Sequence, residues 1–156
     1  MPDIAAVPLV VASPSRDPVE ALNSLLRRNG IPAHCTWIPS LQDLPEALEQ
    51  LNPELLFCVT QDGSELRTVV EVRDQVAAGV PLLVLRSETS EETIAADMAL
   101  GARDSLSLGC VERIQSVVDR ELKACRIERA LRTTLLSAQD YRRQLETVLT
   151  RSNDAI

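Results

Sequence analysis

Short apolar runs that alternate with amphipathic segments constrain the fold of this chain more than any other feature of its sequence. Turn residues bound each run, which predicts a β-strand, while each intervening segment repeats apolar residues three and four positions apart, which predicts a helix. Strands that alternate with helices pair in parallel, and right-handed crossovers cover both faces of their sheet. The pattern therefore predicts an α/β fold with a five-stranded doubly wound parallel sheet of order 2-1-3-4-5. The predicted strands are Leu9–Ala12, Ala33–Ile38, Leu55–Val59, Leu82–Leu85 and Ser105–Leu108.

Two stretches carry the side-chain chemistry of a helix start. Asp17, Pro18 and Glu20 combine an acceptor for free backbone N–H groups, a ring suited to the first helical position and the second half of a capping box. Thr89 and Glu92 repeat the capping-box spacing before the fourth predicted helix. We therefore expect helices to begin at both places. The apolar residues that follow the second start are Ile94, Ala95 and Met98.

The C-terminal part of the chain contains neither glycine nor proline after Gly109, which predicts a single helix of roughly 45 residues. Its first turns can cover the sheet, so the predicted domains are a globular body at residues 1–122 and a helical linker at 123–156. Along the linker, apolar residues recur by fours, threes and sevens, with Glu128 and Arg142 at two positions of the seam. The spacing predicts a coiled coil and a homodimer through this helix. The predicted seam residues are Leu131, Leu135, Ala138, Leu145 and Leu149.

Charge and cysteine usage exclude several classes of protein. Residues 1–111 carry 7 basic against 16 acidic residues, and residues 112–156 carry 9 against 7, so the globular body is strongly acidic. An acidic body with one Trp, one Tyr and one Phe lacks the cationic surface and stacking rings with which proteins bind nucleic acids. The four cysteines stand apart without a CxxC pair, so we expect no metal site, no cofactor and inert thiols. No segment approaches the length of a membrane span, which predicts a cytoplasmic protein.

The ends of the predicted strands offer little chemistry. In an open parallel sheet, functional groups gather at the carboxyl ends of the strands, around the switch point between the first and third. Magnesium requires carboxylate oxygens, yet the first carboxylate after strand 1 is Asp17, which is better explained as a helix cap. The chain's one lysine, Lys123, lies far beyond the fifth strand. The motifs GxGxxG, GxxxxGK[ST] and GxSxG are absent from the sequence, so no enzymatic activity is predicted.

Three stretches are similar to those of a known family: Pro53–Val59 at the third strand, Val80–Leu85 at the fourth and Ala99–Leu106 before the fifth. With these stretches, the layout of residues 7–122 resembles the receiver domain of bacterial response regulators, a CheY-like fold with flavodoxin-like strand order. In that family an acidic pair follows strand 1, a phosphoacceptor aspartate ends strand 3, a Thr or Ser ends strand 4 and a Lys ends strand 5. None of the residues at these positions is the family's residue, so the resemblance implies a pseudo-receiver that takes no phosphoryl group. The positions fall on Ala12 and Ser13, on Val59, on Arg86 and on Leu108.

Other interpretations of these residues stay open. Asp62 is the carboxylate nearest the end of strand 3 and would be the phosphoacceptor of a working receiver, although Asp62 to Ser64 also has the composition of a turn and helix cap. Arg86 would bind an anion or, as we expect, lie in solvent or in a surface ion pair. A flavodoxin-like module would hold a small ligand at the loop of residues 13–16. His34 offers one member of a Ser/His/Asp triad, but it lies in a strand with no paired nucleophile.

The last residues, Thr150 to Ile156, resemble the opening of a PAS domain. A degenerate receiver, a helical linker and a PAS domain in this order are similar to cyclic-di-GMP signalling proteins of the FimX type, whose later GGDEF and EAL domains bind or process the dinucleotide. The resemblance implies a parent protein that acts in type IV pilus assembly and twitching motility. In such a protein, this domain would contribute to dimerisation, to contact with protein partners or to placement at the cell pole.

Overall fold

The computed structural model describes the backbone of residues 7–154, and the side chains of residues 7–143 except 129 and 141. Five parallel strands form one sheet in the order β2-β1-β3-β4-β5, which confirms the predicted topology. The strands are β1 (Val7–Ala12), β2 (Ala33–Ile38), β3 (Leu55–Val59), β4 (Leu82–Arg86) and β5 (Asp104–Ser107). The helices are α1 (Asp17–Arg28), α2 (Leu44–Leu51), α3 (Leu66–Val76), α4 (Glu91–Leu100) and α5 (Val111–Asp154).

Strands β3 and β4 lie near the centre of the sheet and are buried along their whole length. A continuous apolar strand such as Leu55–Val59 is typical of this position, because helices cover a parallel sheet on both faces. The last residue of β4 breaks the pattern, since Arg86 carries a charge and is nevertheless buried. This inner strand therefore delivers a guanidinium group into the protein at the carboxyl edge of the sheet.

The chain divides into two compact units, Met1–Glu121 and Leu122–Ile156. The first unit contains the whole sheet, α1 to α4 and the start of α5, and the second contains the remainder of α5. Of the helices described between residues 7 and 154, none combines the length and the apolarity that a membrane crossing requires.

Helix α1 begins at Asp17, but without the predicted capping box. Its N-cap is Arg16, which has helical backbone angles and makes no side-chain hydrogen bond to the helix. Asp17 lies in the first turn, and Glu20 pairs with Arg16 at 3.0 Å. The capping prediction is wrong because the helical backbone extends to Arg16. Asp17 therefore contributes as a negative charge near the positive end of the helix dipole.

Helix α4 begins one residue later than the capping-box spacing predicts. Its N-cap is Ser90, whose Oγ accepts a hydrogen bond from the backbone N–H of Thr93 at 3.2 Å. Thr93 Oγ1 accepts one from the backbone N–H of Ser90 at 2.8 Å. The prediction that Thr89 and Glu92 form this box is wrong, because the two hydroxyl groups already satisfy these N–H groups.

Helix α4 also turns a different side to the core. Asp97 is its one buried residue. Met98 and Ala95 are exposed, and Ile94 is half-buried. The spacing of apolar residues therefore does not identify the buried side of this helix. The physical reason is the partner that Asp97 finds inside the protein, described below.

Because Ser90 and not Thr89 caps α4, Ser90→Ala should lower the free energy of unfolding by about 1 kcal/mol. Thr89→Ala is the matched control and should change it by less than about 0.5 kcal/mol. Urea unfolding followed by circular dichroism measures both values. A larger loss for the Thr89 variant would contradict the observed cap.

Candidate functional site

The carboxyl edge of the sheet contains two neighbouring cavities, and four of the five predicted site positions line them. Ala12, Ser13 and Val59 line a cavity of about 100 Å³. Val59 also lines a second cavity of about 270 Å³, together with Leu108 and Asp62. The fold thus brings these positions together, as expected for the switch point of the sheet. Arg86 lines neither cavity.

Polar groups that line the larger cavity form hydrogen bonds with neighbouring groups of the same loop. Thr60 Oγ1 donates a hydrogen bond to Glu65 Oε2 at 2.6 Å and accepts one from the backbone N–H of Gly63 at 3.0 Å. Asp62 Oδ1 accepts a hydrogen bond from the backbone N–H of Ser64 at 2.9 Å, as the predicted turn requires. This hydrogen bond lowers the pKa of Asp62 below its usual value. Both acidic side chains therefore have local structural partners.

The residues that line this cavity include two carboxylates, Asp62 and Glu65, and several hydroxyl groups, but no lysine or arginine. Phosphoryl transfer to a carboxylate needs positive charge, from a metal or a side chain, to stabilise the charge that develops on the transferred group. Among the side chains that the structure describes, no cluster of three or more His, Cys, Asp or Glu residues is placed to hold a metal. The residues that line this cavity therefore supply acidic side chains but no positive charge.

Arg86 is neither solvated nor in a surface ion pair, so the expectation for this residue is wrong. Its Nε donates to Asp97 Oδ2 at 2.8 Å and its Nη2 donates to Asp97 Oδ1 at 2.7 Å, a bidentate pair. The side chains are 8% and 2% exposed, which places the ion pair inside the protein. The hydrogen bonds to Asp97 raise the pKa of Arg86, so the guanidinium stays charged.

Two further hydrogen bonds extend this pair to neighbouring elements. Arg86 Nη1 donates to the backbone carbonyl of Gln61 at 2.9 Å, and Ser105 Oγ donates to Asp97 Oδ2 at 2.8 Å. The network therefore joins the end of β4, the second half of α4, the start of β5 and the loop after β3. We call these residues, Gln61, Arg86, Asp97 and Ser105, the Arg86 network.

Gly63 is the residue of the β3–α3 loop that allows the guanidinium to fit. Its φ of +80° is in the left-handed region, and a Cβ atom there would lie 2.8 Å from Arg86 Nη2. Any other residue would be strained at this φ and would also press on the arginine. The loop that carries Asp62 is thus shaped around Arg86.

One feature of the sequence indicates this network, namely the charged Arg86 at the end of an inner apolar strand. A charged residue that ends an inner strand requires a buried partner, because an unpaired charge is very costly to remove from water. Asp97 lies among alanines in α4, where a core-facing residue was expected to be apolar. Helical spacing alone could not distinguish the buried carboxylate from the exposed Met98.

Cys58 and Cys35 are partly or fully buried thiols of the sheet. Burial raises the pKa of Cys58, which lines the smaller cavity, to about 12. Burial raises the pKa of Cys35 to about 11, although the charge of Arg27 opposes this shift. Both groups stay protonated at neutral pH, and the thiolate is the reactive form.

Solved structures similar to this chain include several receiver domains. A signal receiver domain ascribed to a LuxO repressor protein from Vibrio parahaemolyticus superposes with a TM-score of 0.67 at 16% identity, covering 81% of this chain and 97% of that chain. A pilus assembly-related protein from Burkholderia pseudomallei gives 0.63 at 20% identity, covering 76% and 91%. An atypical orphan response regulator, described with a phosphorylation-independent regulatory mechanism, gives 0.61 at 13% identity, covering 75% and 96%. The chain has the receiver fold.

The sequence itself matches no protein-family model and no curated relative. The structural likeness confirms the predicted CheY-like architecture. Because the sequence identities are so low, the likeness shows the fold alone. The chemistry of the strand ends has to be judged from the residues of this chain.

The Arg86 network predicts a strongly coupled pair of substitutions. Arg86→Met or Asp97→Leu alone should lower the free energy of unfolding by about 3–5 kcal/mol, because each leaves one buried charge without its partner. The double variant should recover much of this loss, since an apolar pair removes both charges. Urea unfolding of the four proteins measures the coupling.

The pair between Arg16 and Glu20, with 70% and 63% exposed side chains, provides the control. Arg16→Ala should lower the free energy of unfolding by no more than about 1 kcal/mol, as for other exposed ion pairs. Losses that simply add in the double variant of Arg86 and Asp97 would disprove the coupling.

Proposed function

We propose that this chain is a regulatory and dimerisation module on the receiver fold that works without phosphorylation. The observation that carries the proposal is the Arg86 network. Where the receiver family ends strand 4 with a Thr or Ser, this chain places an arginine whose guanidinium donates hydrogen bonds to Asp97 and to the backbone carbonyl of Gln61 inside the protein. The position is structural here and takes no part in binding a phosphoryl group.

The other positions support the same proposal. Val59, at the end of β3, has an apolar side chain that cannot accept a phosphoryl group, and Leu108 supplies no positive charge to the larger cavity. Ala12 and Ser13 have no carboxylate for a magnesium ion. Asp62 is exposed and its carboxylate caps the turn at Ser64. Regulation would therefore pass through contacts with other chains.

Incubation with acetyl phosphate and magnesium should leave the intact mass of the protein unchanged, because no lysine or arginine lines the cavity and the described side chains form no carboxylate cluster that would hold the added magnesium. Asp62→Asn is the matched control, and its mass spectrum should likewise show no added phosphoryl group. A phosphoryl group on the parent protein that is lost in the Asp62 variant would establish the alternative, a working receiver.

Dimerisation is proposed to occur through the second unit. Ile127, Leu131, Leu135 and Leu136 are between 58% and 63% exposed, and Ala138 is exposed as well. Burying one leucine side chain stabilises by about 1.5–3 kcal/mol, so several such pairs can outweigh the entropic cost of association. The predicted seam residues Leu145 and Leu149 lie outside the described side chains.

Near the start of the seam, the described residues favour a spacing that differs from the predicted heptad. Ile127, Leu131, Leu135 and Ala138 follow one another by four, four and three positions, an 11-residue spacing of about 3.67 residues per turn. This spacing places Ile127 in the seam where a strict heptad would place Glu128. We therefore propose that the dimer contact opens with an apolar residue and that Glu128 lies beside it.

Leu131→Glu combined with Leu135→Glu should halve the mass that light scattering reports for the full chain, because four carboxylates would repel each other in the seam. Thr133→Glu combined with Ser137→Glu is the matched control, since these residues add the same charge on the opposite side of the helix. Equal masses for the two double variants would exclude the tail helix as the dimer contact.

We further propose that the module serves a cyclic-di-GMP signalling protein of the FimX type in type IV pilus and twitching control. The support is the resemblance of the C-terminal residues to a PAS opening and the fold shared with a pilus assembly-related protein. A strain whose chromosomal gene carries Leu131→Glu with Leu135→Glu should form smaller twitching zones than one with Thr133→Glu and Ser137→Glu. Equal zones would argue against this role for the dimer.

A further inference from the structure

Strand β2 is one edge of the sheet, and its outer side presents backbone groups that another strand could bind. The ladder between β1 and β2 closes with the N–H of Ser13, which donates to the carbonyl of Ile38 at 3.2 Å. Alternate residues of a strand in a parallel sheet direct both backbone groups to the same neighbour, so Cys35 and Trp37 direct theirs away from β1. Among the residues that the structure describes, these outward groups have no backbone hydrogen-bond partner.

The opposite edge of the sheet, β5, is closed by its own neighbours. By the same alternation, Ser105 and Ser107 face away from β4. The N–H of Ser105 donates to Asp104 Oδ1 at 2.8 Å, and its carbonyl accepts from Arg113 Nη1 at 2.9 Å. The carbonyl of Ser107 accepts from the N–H of Cys110 at 3.0 Å. Proteins commonly protect free sheet edges with short strands and charged side chains, and β5 follows this rule whereas β2 does not.

The free edge of β2 is a neutral strip on an acidic body. Residues 1–111 carry 16 acidic against 7 basic residues, so two such bodies repel each other. Strand β2 itself contains no Asp, Glu, Lys or Arg. Its outward donors are also few, because the N–H of Ala33 donates to the carbonyl of Ile31 at 2.8 Å and Pro39 has no N–H group. The edge therefore offers one N–H and one carbonyl at each of Cys35 and Trp37.

We propose that β2 pairs antiparallel with β2 of a second copy of the chain, about a two-fold axis at Thr36. Cys35 of each copy would exchange both backbone hydrogen bonds with Trp37 of the other, which uses all the groups that these two residues leave free. The edge is thus complementary to itself, and no like charges of β2 meet across the axis. These two properties favour a second copy over an extended segment of another protein. The two sheets would join into one sheet of ten strands.

This contact does not rest on the proposed tail dimer, because it uses residues of the first unit alone. It is a small contact, since four backbone hydrogen bonds occupy far less surface than a standard protein interface. The two copies would therefore exchange readily, and a covalent bond across the axis is the suitable way to capture them.

Disulfide trapping of the full-length chain tests the register. Thr36 would face itself across the axis with Cα atoms about 4.5 Å apart, a separation that a disulfide spans. Thr36→Cys, in a background with Cys35, Cys110 and Cys125 changed to alanine, should form a covalent dimer under mild oxidation by copper phenanthroline. His34→Cys in the same background is the matched control, because the two copies of this position would lie more than about 13 Å apart. His34 is the more exposed residue, so random collision would favour a bond from position 34.

Two further changes to the Thr36→Cys protein probe the hydrogen bonds and the tail. Cys35→Pro, in place of the change to alanine, removes only an outward N–H and should lower the yield of covalent dimer by about tenfold or more. Leu131→Glu with Leu135→Glu should leave the yield at high protein concentration unchanged, because β2 lies in the first unit.

Three outcomes would overturn the proposal. The first is a covalent dimer that forms equally well from positions 34 and 36, which would show random collision. The second is the absence of a bond at position 36, which would leave the β2 edge to an extended segment of another protein. The third is a bond at position 36 that disappears with the two tail substitutions, which would make it a by-product of the tail contact.

Discussion

A guanidinium group at the end of a buried strand must find a carboxylate inside the protein, because the cost of removing an unpaired charge from water exceeds what packing can return. Arg86 finds Asp97, and two parallel hydrogen bonds set the distance and the angle between β4 and α4. The remaining hydrogen bonds attach the loop after β3 and the hydroxyl of Ser105 to the same pair. The arrangement at the carboxyl edge of the sheet depends on this ion pair. The pair connects β4, α4, β5 and the loop after β3, whose relative positions the apolar core does not fix alone.

The same pair accounts for two properties that look unrelated in the sequence. It holds the charged end of β4 inside the protein, and it shapes the β3–α3 loop so that Gly63 lies against the arginine. It also orients α4 so that Asp97 points inward while Met98 and Leu100 stay in contact with solvent. Replacing a buried ion pair by apolar residues of similar volume is often neutral or stabilising, so stability alone does not explain this pair. We interpret the pair as a device for specificity, because its two hydrogen bonds fix the rotation of α4 against the sheet.

The sequence predicted the strands more accurately than it predicted helix α4. Leu55–Val59 and Ala33–Ile38 were predicted with the observed bounds, because period, flanking turn residues and length all favour a strand there. The start of α4 was misplaced by one residue, since Thr89, Ser90 and Thr93 all have hydroxyl groups and only the backbone angles decide which of them caps the helix. The positions of Ala12, Ser13, Val59 and Leu108 around two cavities followed from strand order alone. The environment of Arg86 did not, because its partner is 11 residues away on an element whose rotation the apolar pattern misjudged.

The sequence by itself determined the class of fold and the order of the strands. These properties depend on hydrophobic period, chain connectivity and residue identity, all of which are local or follow from handedness. Only the tertiary structure decided which side of α4 is buried, which residue neutralises Arg86 and which apolar residues remain in solvent. Those outcomes depend on the balance between burying alanine and methionine side chains and leaving a charge unpaired. The charge prevails, because an unpaired buried charge costs more than a few exposed apolar side chains.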